Sequence, residues 1–122
     1  MPSYVRVYTG DYGKSHIEDF DPPFEPFVDV EGAHGEGTPM EKATGITIRR
    51  SAPGYFLDYH TAPRRQYTVT LSGEIEIATG DGTVRRCGPG DVLLAEDLTG
   101  EGHTTRVVGQ EPRVYLVIPL AD

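Results

Sequence analysis

From Gly45 onward the chain is cut by turn residues into short runs that alternate apolar and polar side chains, and no segment carries a helical stripe. That punctuation confines the chain to an all-β fold. Ile46 to Arg50, Tyr55 to His60, Arg65 to Ser72, Gly73 to Ala78, Thr83 to Cys87, Val92 to Ala95, His103 to Val108 and Arg113 to Pro119 read as strands, and Tyr4 to Thr9 adds an edge strand. Asp81-Gly82 is a hairpin signature, and Gly88-Pro89-Gly90-Asp91 is a turn whose glycines can take positive φ. About nine short strands so spaced form the pattern of a β-sandwich or jelly-roll barrel.

Between Gly10 and Gly45 the texture changes, because Pro22, Pro23, Pro26, Gly32, Gly35, Gly37 and Pro39 break any period. The stretch is expected to be a long irregular arm, pinned to the body by Phe20, Phe24 and Phe27, that serves as a cover or a partner contact. With 122 residues there is room for one domain, divided into residues 1–44 (strand and arm) and 45–119 (barrel). A net charge of −8, with basic residues clustered no further than the pairs Arg49-Arg50, Arg64-Arg65 and Arg85-Arg86, argues against a nucleic-acid partner. The single cysteine, Cys87, cannot form an internal disulfide and reads as a structural thiol. Neither a leader-like N-terminus nor a run of membrane-spanning length is present, so the expectation is a cytoplasmic protein without a membrane partner. Exposed strand edges predict a homodimer.

The stretch from Gly54 to Gly73 holds the candidate site. Strict alternation would place Phe56, Asp58 and His60 on one strand face and Tyr55, Leu57 and Tyr59 on the other, and a turn at Thr61 to Arg64 would then bring Gln66 close to His60. The intervals Gly54, five residues, His60, one residue, Ala62, three residues, Gln66, six residues, Gly73 resemble the first signature of the cupin superfamily. A looser second match runs through Gly90-Asp91 and Gly100-x2-His103, with Leu98 where that signature has proline and Val107 where it has asparagine.

The resemblance, which covers roughly Ile46 to Pro119, implies a small RmlC-like jelly roll that binds a small polar organic molecule. It also implies a divalent transition metal (Fe, Mn, Ni or Zn) and no organic cofactor. The matching positions give His60, Gln66 and His103 as metal ligands, with Ala62 where a further histidine would stand and a neutral amide where a carboxylate would stand. Asp58, Glu96, Asp97, His34 and Glu36 are candidates for another donor. The implied activities are a metal-assisted lyase, isomerase or oxygenase, a non-catalytic sensory barrel that has lost its metal, or a metal-free acid/base isomerase in which His60 or His103 works with Asp58 and Tyr115. Arg64 and Thr99 are expected to contact the ligand.

Overall fold

Val5, Val7, Ile75, Ile77, Leu93, Ala95 and Val107 occupy inward positions of four strands, and in the computed structural model, which describes residues 1–122, they meet in one core together with Ala62 and Cys87. The strands are β1 (Tyr4–Thr9), β2 (Ser15–Asp19), β3 (Glu25–Val28), β4 (His34–Gly37), β5 (Thr47–Ser51), β6 (Phe56–His60), β7 (Gln66–Ser72), β8 (Glu74–Thr79), β9 (Val84–Cys87), β10 (Val92–Glu96), β11 (His103–Val108) and β12 (Arg113–Pro119). A six-stranded sheet in the order β2-β1-β10-β7-β12-β5 faces a four-stranded sheet in the order β6-β11-β8-β9. The core lies between them, and no hydrogen-bonded ladder joins the two sheets, so the jelly roll is open where β5 and β6 form its edges. No helix is long and apolar enough to cross a membrane.

The predicted strands are all present within a residue or two. The arm is more regular than its composition suggests, since it contains β2 and the two-stranded sheet β3-β4. Ser-His-Ile-Glu-Asp is mostly polar, Glu-Pro-Phe-Val contains proline, and His-Gly-Glu-Gly is half glycine, so propensity is silent in all three. Pairing with β1 builds β2, and the ring of Phe27 lies over Gly35 and Gly37 of β4. Phe20 and Phe24 rest their rings against Tyr4, each at 6.2 Å, as expected of anchors, whereas Phe27, the third expected anchor, packs on the arm's own β4 and is exposed. Cys87 is buried, which pushes its thiol up to about 11 and makes it inert.

Ile77 is fully buried at the centre of the core. Ile77→Ala should cost about 2–5 kcal/mol of stability. Urea denaturation monitored by far-UV circular dichroism reads this as a lower midpoint with an unchanged slope.

Candidate functional site

The antiparallel pairing of β6 with β11 sets His60 directly beside His103, with ring centres 4.4 Å apart and planes tilted by 56°. The register slips in this ladder, because two steps along β11 from His103 to Thr105 match three along β6 from His60 to Leu57. That β-bulge corrects the alternation expected from sequence. Tyr55 and Leu57 line the same cavity as His60, while Phe56 lies outside it with Arg106 stacked on its ring at 4.4 Å.

Both imidazoles are oriented through Nδ1. His60 Nδ1 lies 2.8 Å from the carbonyl oxygen of Asp58, and since a carbonyl only accepts, the proton is on Nδ1 and the lone pair on Nε2. His103 Nδ1 lies 2.6 Å from Asp97 Oδ2, which also accepts the Ser15 hydroxyl at 2.8 Å. Asp97 is fully buried, and its other oxygen, Oδ1, has no partner. Its main-chain carbonyl accepts the amide of Ala62, tying the end of β10 to the turn after β6. At Gly102, φ is +81° and a Cβ would collide with the carbonyl of His60, so only glycine lets the β11 entry approach this closely. Desolvation, followed by the charge of His103, pulls the His60 pKa below its ordinary value against the opposing Asp58 hydrogen bond.

The two histidines sit in a cavity of about 260 Å³, near the small end for ligand pockets. Gln66 stands beside them, with its Oε1 accepting from Arg64 Nη1 at 3.2 Å. Leu57, Leu93, Ala95, Val107 and Val117 make apolar walls, and Tyr55, Tyr115, Thr68, Ser51 and Arg49 complete the lining. No three His, Cys, Asp or Glu side chains converge on one point, so a metal here would rest on two imidazoles and the amide oxygen. Rings 4.4 Å apart with both Nδ1 atoms tied to acceptors have the hydrogen-bonding pattern of ligating histidines, and the uncompensated charge of Asp97 favours a cation beyond His103. This donor set fits a borderline ion such as Zn²⁺, Ni²⁺ or Fe²⁺ better than Mn²⁺, which prefers carboxylates.

The remaining candidates divide plainly. Tyr115 lines the cavity. Asp58 does not line it, and its carboxylate accepts from the amide of Tyr59 instead. Thr99 is exposed, and its carbonyl accepts from Thr9 Oγ1. Arg64 reaches the site only through Gln66. Glu96 is held by Arg6 and Arg65, and His34 and Glu36 lie on the exposed arm sheet. Sequence reasoning missed Ser15 and the partnership of Asp97 with His103, and it missed Arg49 and Thr68. Inward alternation along β5 and β7 was the available signal for the last two.

Among solved structures, the chain is similar to a protein with a double-stranded β-helix domain from Klebsiella pneumoniae (24% identity, 69% of this chain and 77% of that one, TM-score 0.50). It is also similar to a cupin domain from Bordetella pertussis Tohama I (16% identity, 83% and 96% covered, TM-score 0.51). The chain has the cupin fold. A third similar structure, the polyketide cyclase RemF from Streptomyces resistomycificus, matches at 15% identity over 97% of this chain and 75% of that one, with a TM-score of 0.54. No protein-family model and no curated protein matches the sequence. The motif intervals around His60 and His103 thus anticipated the cupin fold from positions far apart along the chain.

In metal-free protein, NMR titration of the imidazole Cε1 protons should place the His60 midpoint below about 6.5. Because its folded pKa is lowered, the unfolded chain binds more protons, so the His60 contribution to stability falls as pH drops through about 6.5 and levels off below the folded midpoint. Gly102→Ala should force the backbones of His60 and residue 102 apart. The measurement is a shift of both histidine resonances with the core methyl spectrum retained; unmoved resonances would contradict the packing described.

Proposed function

We propose that the protein is a small-molecule enzyme of the isomerase or lyase type, which moves a proton on an organic ligand held in the cupin cavity. The observation that carries this reading is the buried 2.6 Å contact between His103 Nδ1 and Asp97. It holds the ring with Nε2 free to take a proton from the ligand, and the carboxylate offsets the imidazolium that results. His60, kept neutral by desolvation, offers a second acceptor beside it that orients a ligand O–H or N–H. Leu57, Leu93, Val107 and Val117 set apolar walls around the base. RemF shares the fold at 15% identity, which speaks to architecture and adds nothing to the reaction assigned here.

The test uses 5-nitrobenzisoxazole, whose ring opens when a base removes its C3 proton and the N–O bond breaks. The protein should outpace equimolar imidazole by about 10²-fold or more, His103→Asn should abolish the gain, and Asp97→Asn should reduce it at least tenfold. A rate no higher than that of free imidazole would contradict the reading.

The paired Nδ1 anchors favour a second reading, in which a divalent ion is held by His60, His103 and Gln66. Such an ion would supply Lewis-acid polarisation of a ligand oxygen. In this version His60 and His103 hold, and Asp97 keeps the His103 ring turned toward the ion. Elemental analysis of untagged protein should then show one equivalent of metal, lost in His60→Asn; no metal, and no binding of added zinc, nickel or iron, would rule it out.

A further inference from the structure

The chain carries 19 acidic residues and a net charge of −8, yet no Asp or Glu lines the cavity. Its charged lining is Arg49, with the two histidines opposite. Arg6, Arg65, Arg85 and Arg86 are all paired with carboxylates, whereas Arg49 is not. Behind the wall, Arg113 is 5% exposed, donates to the Thr70 hydroxyl and lies 3.9 Å from the Tyr115 ring centre, again with no acidic partner. Burial brings its pKa down to about 10, which still leaves it a cation at neutral pH. Asp97 is turned to His103 and Ser15 and does not line the cavity. Thr68 is 8% exposed and lines the cavity, and its buried hydroxyl has no hydrogen-bond partner.

A buried hydroxyl left unsatisfied is costly unless a ligand completes it, and the exposed Arg49 guanidinium, which no carboxylate of this chain holds, is free to take a ligand's negative charge. Resting on the reading of this cavity as a ligand site, we propose that its ligand is an organic anion, a carboxylate or phenolate, bound by Arg49 with the hydroxyl of Thr68. Register fixes the direction. Arg49 pairs with Tyr115, which pairs with Thr70, four residues along β7 from Gln66, or ~13 Å at about 3.3 Å per residue. Thr68 lies between. The anionic group therefore sits at the β5 end and the reacting atoms at the histidine end, separated by an apolar body of fused-ring size. In an acidic protein an unpaired cation at the cavity also draws anions in from solution.

The probes are 2-naphthoate and its neutral analogue 2-naphthamide, titrated at low salt and followed through the methyl resonances of Leu57, Leu93, Val107 and Val117. The carboxylate should bind at least tenfold tighter, Arg49→Gln should bring the two affinities together, and Thr68→Val should weaken the carboxylate several-fold. His103→Asn should leave the preference intact. Equal affinities, or a preference that survives Arg49→Gln, would overturn the inference while leaving proton transfer to be judged by the nitrobenzisoxazole assay. Failure of both probes to move the cavity methyls would overturn the small-molecule reading as well.

Discussion

A fully buried carboxylate, Asp97, governs how the rest of the cavity is arranged. It holds the ring of His103 and the hydroxyl of Ser15, and its main-chain carbonyl holds the amide of Ala62, so β2, β11 and the turn between β6 and β7 all meet on one residue. Removing the hydrogen-bond partner of a buried polar group costs about 1–3 kcal/mol, and more where the group left behind is a carboxylate. The same contact decides which nitrogen of His103 faces the cavity. Folding energy and chemistry thus depend on one geometry, and the unsatisfied Oδ1 marks where that geometry leaves negative charge to attract a proton or a cation.

The fold was legible because its strands are separated by turn residues with definite stereochemistry. Gly73, Gly82 and Gly90 all take the positive φ that their turns require. The arm was less legible. β2 exists because β1 offers it a ladder, a tertiary cause that local composition does not reveal. At the site, spacing placed His60, Gln66 and His103 around one cavity, but the bulge in β6 reversed the facing of Tyr55, Leu57 and Asp58, since a single extra residue exchanges inside and outside in a period-two element. Asp97 was legible as an acid near the end of β10. Its role was not, because its partners Ser15 and His103 lie 82 and 6 residues away.

Charge is distributed against the bulk composition. Acidic residues are gathered on the arm and in exposed ion pairs, while the cavity keeps Arg49 and two imidazoles. Exposed pairs contribute little stability individually. The imidazoles matter differently, because in less polar surroundings a lone pair's interactions are screened less than in water. The open β5–β6 edge gives a ligand a way in, and the exposed apolar face on the other side of β5 leaves that edge strand half uncovered.

The central claim is that His60 and His103 both carry their proton on Nδ1 and present Nε2 lone pairs to the same cavity. Long-range ¹H–¹⁵N NMR of histidine-labelled, metal-free protein at about pH 8 reads the tautomer of each ring directly. The account predicts Nδ1–H in both rings; an Nε2–H tautomer in either one would contradict it.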